Sequence, residues 1–385
     1  MFGTWGRNGA APTIALHGAY RHDNFGDMLL LGIYIRWIRE SYPGCRVILP
    51  FLRTDLTRLV NADGRGLTAL MRASALVYGG GGYFGEPNSG RTFWALRNTW
   101  RHMPVGLIAR IRGLPIAISG VGAGPLSSGL ARRLFVRLFR WSGAVAVRDV
   151  ESRDFMAQYG VGADRMVVTA DAALSLDESD VTAAALAEAS QKLRALPGSW
   201  RIGFNVAHSI RLRGMDPLLD DLRTFAARHP QASFVYFLDE GAGRGESYHV
   251  ARMAREIERR VAAPAVVVPY RDPDQVLGVI KALDLVITTK LHVGIVACAL
   301  GTSVLAFPAH QKTRRFYEQI GAADRCLTLD QLASGDALAQ LERFARGELG
   351  PVALPPAVRA AALHNRTVLA GFLARALAVP ELATR

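Results

Sequence analysis

Short continuous runs of apolar residues recur along this chain, each followed by a longer stretch whose apolar positions fall every three or four residues. The first pattern predicts strands buried on both faces, and the second predicts amphipathic helices laid across them. Strands are predicted at Thr13 to Leu16, Arg46 to Phe51, Leu76 to Tyr78, Pro115 to Ser119, Ala144 to Val147 and Met166 to Thr169, with the first helix at Asp27 to Ser41. A surface helix is predicted from Glu178 to Arg194, ending at Pro197-Gly198. The alternation then resumes at Arg201 to Val206, Ser233 to Leu238, Ala265 to Pro269, Leu283 to Thr288 and Ser303 to Phe307. After Pro355-Pro356 a helical pattern runs from Ala357 to Leu377, with Leu369, Phe372 and Leu373 as expected core contacts. Strands alternating with helices in this way predict an α/β protein with parallel sheets.

The change of pattern near residues 175–200 marks a boundary, and a prior of roughly 100–200 residues per domain also gives two domains for 385 residues. The expected architecture is two Rossmann-like domains, 1–180 and 198–350, followed by a helical segment, 351–385. Two such halves and a closing helix suggest a GT-B-like fold with its site in an interdomain cleft.

Charge adds less than its size suggests. The chain carries a net +13 from 46 basic residues, of which only Lys192, Lys281, Lys290 and Lys312 are lysines. An arginine bias beside abundant Ala and Gly fits genome base composition better than a nucleic-acid surface. The aromatics also fall inside strand and helix patterns instead of alternating with basic residues, so nucleic acid is not an expected partner. The charge does suit a phosphorylated substrate or an anionic membrane face. Arg133, Arg137 and Arg140 lie beside Leu134, Leu138 and Trp141 on one helical pattern, which reads as a solvated basic face, with anionic lipid as the alternative. Cys45, Cys298 and Cys326 show neither disulfide-framework nor zinc spacing. Residues Met1 to Ala11 lack the apolar core of a secretory leader. The longest apolar run, Val293 to Phe307, is broken by Gly301 and falls short of the roughly 18–20 residues that span a bilayer. A cytoplasmic protein, at most peripheral on the membrane's inner face, is expected.

The densest chemistry follows the predicted strand Leu283 to Thr288. The chain passes through Lys290, Leu291 and His292 into the apolar helix Val293 to Leu300. A strand end meeting a helix start is where an α/β protein holds an anion, because free N–H groups and the helix dipole favour negative charge. After the next strand, Lys312 returns to the same edge. The loop His17 to Asp27 carries Asn24, Gly26 and Asp27, with Asp27 either a helix N-cap or a contact for a substrate hydroxyl. Gly80, Gly81 and Gly82 belong to a glycine run that either makes a tight strand-to-helix turn or admits a ligand against the backbone. The run Gly120 to Pro125, with Pro125 placed to start a helix, departs from the dinucleotide fingerprint, so a nicotinamide cofactor is not expected. Arg148, at a strand's end, either forks a carboxylate or phosphate or forms a salt bridge with Asp149 or Asp171. His208 and His249 have no partner at metal spacing and receive no role.

In order along the chain, Asn24-Phe25-Gly26-Asp27, Gly79 to Gly82, Arg148-Asp149, Asp171, Lys290-Leu291-His292 and Lys312 resemble the polysaccharide pyruvyl transferase family. The resemblance implies transfer of pyruvate from phosphoenolpyruvate to a sugar as a ketal across two hydroxyls, on a GT-B-like fold. It implies that Lys290, Leu291, Arg148 and Lys312 hold the donor, which places the donor in the second domain and the acceptor beside the first. Asn24, Gly26, Gly80, Gly81, Gly82 and Asp171 would then serve the acceptor or approach it through backbone. An imidazole with an ordinary pKa near 6.5 suits the acid that protonates the donor's methylene carbon, which is the role of His292. Asp27 or Asp171 would deprotonate the attacking hydroxyl. Lys290 stands where the family usually has Arg, replacing a bidentate fork by a point charge. The chemistry calls for no metal or cofactor, and the acceptor sugar, lipid-linked, nucleotide-linked or polysaccharide, is left open.

Two rivals remain. A GT-B glycosyltransferase using a nucleotide sugar would also place a His at a helix start, but it commonly offers an acid to the ribose, and the chain has no Asp or Glu between His292 and Tyr317. A non-catalytic basic binding protein is the other, motivated by charge alone.

Overall fold

A computed structural model of the protein describes residues 11–20, 24–50, 62–86, 91–206, 215–241, 255, 258–307 and 311–378. Arg21, His22, Asp23, Phe51, His208, His249 and His310 lie outside the described residues. The chain divides into two compact units. Unit 1 comprises Met1–His22, Asp27–Ser175 and Arg359–Arg385, and unit 2 comprises Asp23–Gly26 and Leu176–Val358.

Along the chain the elements begin with β1 (Thr13–His17), α1 (Phe25–Ser41), β2 (Arg46–Leu49), β3 (Gly64–Arg65), α2 (Leu67–Leu70), β4 (Ala75–Tyr78) and β5 (Gly81–Phe84). They continue with α3 (Arg91–Ile111), β6 (Ile116–Ala123), α4 (Gly129–Trp141), β7 (Ala144–Val147), α5 (Val150–Gln158) and β8 (Val167–Val168). The strands of unit 1 form one sheet in the order β3-β2-β1-β4-β6-β7-β8, with β5 added on β6. Every pairing is parallel, as the both-faces-buried apolar runs predict.

After α6 (Ala183–Leu193), the chain supplies β9 (Trp200–Asn205), α7 (Met215–Arg228), β10 (Ala232–Phe237), β11 (Ala265–Val268), α8 (Pro273–Lys281), β12 (Leu285–Thr288), α9 (Leu291–Ala299) and β13 (Ser303–Ala306). The helices α10 (Gln311–Gln319), α11 (Leu329–Ala333), α12 (Asp336–Ala345) and α13 (Pro356–Leu377) complete it. These strands form a second parallel sheet, β11-β10-β9-β12-β13. Its order reverses between β9 and β12, and in such sheets ligands bind beyond the strands' carboxyl ends at that reversal.

Local chemistry explains most element ends. Asp272 accepts the Gln275 N–H at 2.8 Å and Pro273 follows it, a favourable start for α8. Asp149 caps α5 through the Ser152 N–H at 2.7 Å. Gly301, at φ 70°, ends α9 in a left-handed conformation that glycine adopts without strain. Three expectations are corrected. α1 begins two residues before Asp27, so Asp27 sits in its first turn and does not cap it. Pro125 does not open a helix: the run Gly120 to Ala123 extends β6, and α4 starts at Gly129 with Ser128 as its N-cap. The helix expected from Glu178 starts at Ala183, capped by Thr182.

Unit 1 buries a histidine pair. His17, ending β1, places Nε2 3.0 Å from Nδ1 of His102 on α3, and the His102 ring stacks on Tyr83 with centroids 4.5 Å apart. Burial, helped by the charge of Arg101, lowers the His17 pKa to about 3, and burial also holds His102 well below its usual value. Below about pH 6.5 the unfolded chain therefore binds protons that the folded chain refuses, so stability falls as pH falls. Between pH 6.5 and 5 the expected loss from His17 is about 2 kcal/mol, and His102 adds a loss of the same sign. Thermal melting should move clearly downward from pH 7 to pH 5, and a His17→Gln/His102→Gln pair should flatten that slope. A wild-type melting point unchanged between the two pH values would contradict the buried neutral pair.

Candidate functional site

The carboxyl ends of β9, β10 and β12 meet at the order reversal of the second sheet, and a hydrogen-bonded cluster occupies that edge. Asn205, the last residue of β9, is buried; its amide donates to the Phe237 carbonyl at 2.9 Å and to Asp239 Oδ1 at 3.1 Å. Its side-chain oxygen accepts from Thr288 Oγ1 at 3.1 Å, and the Thr288 hydroxyl accepts from the Lys290 backbone N–H at 3.0 Å. Three strand ends are thus tied together by one amide and one hydroxyl.

Lys290 precedes α9 and aims its side chain at β10. Its ammonium lies 2.7 Å from Glu240 Oε1 and 3.2 Å from Asp239 Oδ2. With all three groups ionised the trio is net negative, so Lys290 is a shared charge and not an open counter-ion. Burial is the largest influence on both Lys290 and Asp239. It pushes the Asp239 carboxyl above the usual range, even though Lys290 and Asn205 favour its ionised form. Burial alone would depress Lys290, but the carboxylates of Asp239 and Glu240 together outweigh it and hold the ammonium above its usual pKa. The Glu240 side chain is 38 % exposed, against 11 % for Asp239. Glu240 is therefore the member that can meet a ligand.

Residues 24–26 belong to this unit. The Asn24 amide donates to Glu240 Oε1 at 3.1 Å, and the Phe25 N–H donates to the Asp239 carbonyl at 2.8 Å. A Cβ added at Gly26 would collide with the imidazole of His292. One short segment thus touches the acid pair at one end and the histidine at the other. Leu291 and His292 form the first turn of α9, at the positive end of the helix dipole. Leu291 is buried and His292 partly so. The helix is apolar all round because it lies in the core; Gly294 leaves room for the Tyr317 hydroxyl.

Of the residues expected from sequence, the structure brings Asn24, Gly26, Lys290, Leu291 and His292 together in unit 2. Lys312 lies in the first turn of α10, exposed. The others belong to unit 1. There Arg148 follows β7, with Nη1 3.4 Å from Asp171 Oδ2 and Nε 3.5 Å from Asp149 Oδ2. Gly82 and Gly122 flank its guanidinium so closely that a Cβ at Gly122 would fall 2.7 Å from Nε. Asp171 also accepts the Ala173 N–H at 3.1 Å. Gly80 and Gly81 are buried against the rings of Tyr34 and Tyr83, in a segment that continues as β5 and not as a helix. Asp27 stays in the first turn of α1. Asn205, Asp239 and Glu240 are not among the residues expected from sequence, although two acids directly follow the predicted strand Ser233 to Leu238, at the same kind of strand end as Lys290.

Comparison with known proteins bears on this geometry in two ways. A family model described as polysaccharide pyruvyl transferase matches residues 24–310, a span that includes Asn24, Arg148, Glu240 and His292. Solved structures similar in fold include UDP-GlcNAc 2-epimerase from Neisseria meningitidis bound to UDP-GlcNAc (TM-score 0.61, 12% identity, 93% of this chain and 99% of that one). The UDP-GlcNAc 2-epimerase of Methanocaldococcus jannaschii is similar at TM-score 0.62 and 8% identity, over 92% of this chain and 99% of that one. S. aureus MnaA, in its UDP co-structure, is similar at TM-score 0.60 and 10% identity, over 96% and 98%. At such identities the likeness shows the fold alone, the GT-B-like pair of parallel α/β sheets. No curated protein matches the chain.

Proposed function

Because this chain belongs to the polysaccharide pyruvyl transferase family, we propose that it moves pyruvate from phosphoenolpyruvate onto two sugar hydroxyls, as a ketal, in cell-surface or exopolysaccharide biosynthesis. The observation that carries the reading is the position of His292 in the first turn of α9, at the order reversal of the sheet and within the matched residues.

His292 gives a proton to the donor's methylene carbon, which leaves C2 electron-poor. A sugar hydroxyl attacks C2 and passes its proton to the Asp239–Glu240 pair. The C2–O bond to phosphate then breaks, the protonated carboxyl giving its proton to the leaving phosphate, and a second hydroxyl attacks C2 and passes its proton to His292, which restores both groups. The N-terminus of α9 favours the donor's negative charge, with Lys312 as a further counter-charge. Lys290 orients Glu240, and its own charge reaches the donor only in part. The net charge of +13 supports a peripheral contact with an anionic membrane face, on the cytoplasmic side.

A second reading is favoured by one observation. Acids at a strand's carboxyl end suit a ribose diol, and Asp239 with Glu240 supplies the acid whose absence after His292 spoke against a nucleotide-sugar glycosyltransferase. Isothermal titration of the protein with phosphoenolpyruvate, beside UDP- and GDP-sugars, separates the two. Saturable phosphoenolpyruvate binding is expected. Binding to a nucleotide sugar with none to phosphoenolpyruvate would overturn the pyruvyl reading.

A further inference from the structure

Between Glu86 and Asp149 the chain carries ten arginines and no acidic residue. α3 and α4 come from this stretch and cover one face of the unit 1 sheet. Val105 and Ala109 of α3, with Phe135 and Leu138 of α4, share a core with Tyr78 and Ile118 of the strands. The contact is close at Gly106, where an added Cβ would lie 2.7 Å from both Leu138 Cδ1 and the Tyr78 hydroxyl.

The other side of α3 is not what a solvated helix face should be. Leu96, Trp100, Leu107 and Ile111 are exposed by 55, 73, 49 and 76 %. At an ideal 100° per residue, these four positions fall within an arc of about 60°. Single exposed apolar residues are ordinary, but four aligned on one helix form a patch of the kind that marks an interaction surface. Arg97 is exposed along one side of the stripe and Arg110 along the other, while Arg101, beside Arg97, donates to the Tyr20 carbonyl at 3.3 Å.

We propose that this face of α3 docks on an anionic lipid bilayer, with Trp100 and the aliphatic side chains entering the interface and the flanking arginines meeting lipid phosphates. A stripe of Trp and aliphatics edged by basic side chains is the composition of helices that lie in the membrane plane. Charge decides the occupant. A second copy seated two-fold on the same face would set arginines against arginines, with no acidic residue in the whole stretch to pair them. A nucleic acid would satisfy the arginines and leave Leu96, Leu107 and Ile111 in water. An anionic bilayer satisfies both. The inference names the surface for the peripheral contact proposed above.

The test is co-sedimentation of the full chain with phosphatidylcholine vesicles, with and without phosphatidylglycerol. No donor or acceptor is present, so this inference and the transfer reading fail separately. Binding is expected only with phosphatidylglycerol and should weaken as salt rises. Trp100→Ser should reduce it roughly tenfold or more, and Arg97→Ala and Arg110→Ala about fivefold each. Because these side chains are exposed, melting temperatures should stay unchanged, which controls for folding. Three results would overturn the proposal: equal binding to neutral vesicles, no binding to either kind, or a concentration-dependent dimer that Trp100→Ser splits.

Discussion

Replacing His292 by Ala should lower pyruvyl transfer by about 10²- to 10⁴-fold, the usual contribution of a positioned acid or base, while donor binding changes little. On the proposed reading the donor's charge is met by the α9 helix dipole and by Lys312, which the substitution leaves in place, so the loss should fall on kcat. Phosphate release at saturating phosphoenolpyruvate, with an acceptor that supports wild-type turnover, reads kcat, and titration reads binding. His292→Gln should fare no better, since an amide fills much of the ring's space but cannot give up a proton. Gly26→Ala offers an independent approach to the same group. Its methyl must displace the imidazole, so it should lower kcat with His292 still present. Near-wild-type turnover in His292→Ala would remove the histidine from the chemistry.

Lys290→Met should destabilise the protein by about 2–4 kcal/mol at neutral pH, because removing one partner of a largely buried ion pair leaves the other charge uncompensated. The stranded group is Asp239, buried and already held above the usual carboxyl range by that burial. Without the ammonium, its folded pKa rises further above the unfolded value, so between those values the folded state holds a proton that the unfolded state has lost. Stability of the variant therefore falls as pH rises, and the deficit against wild type should be largest near pH 7 and shrink toward pH 5. Adding Glu240→Gln should recover part of the loss by removing the like charge. Denaturant midpoints at the two pH values measure this. A deficit that does not vary with pH would mean that Lys290 stabilises by packing alone.

These two residues also show what the sequence made legible. The strand and helix on either side of Lys290 are legible in the sequence, because Leu285 to Ile287 and Val293 to Cys298 are runs without a polar side chain, as a buried strand and a core helix require. His292 followed from its place at their junction. The partners of Lys290 did not follow, because Glu240 is 50 residues away and no periodicity links them. Asn24 is further still, 216 residues from the carboxylate it contacts. The glycine run was visible as a backbone requirement, but its cause was not. Gly79 and Gly80 make room for the rings of Tyr20 and Tyr34, whose approach only the folded sheet creates. Likewise Pro125 looked like a helix start from its own conformational preference, whereas pairing along β6 held the backbone extended to Ala123.

Unit 1 draws its last piece from residues 359–385, after the whole of 176–358 has been used in unit 2. The join is specific: the Asn365 amide is fully buried, donating to the Ala170 carbonyl at 2.8 Å, while its oxygen accepts from Thr169 Oγ1 at 2.9 Å. During synthesis, at roughly 5–20 residues per second, the first sheet must therefore wait many seconds with the berth for α13 open, while unit 2 is made and can close. The part of the chain translated first is the last to be finished, and a nascent chain stalled before Asn365 would expose apolar surface to chaperones in unit 1, with unit 2 already complete.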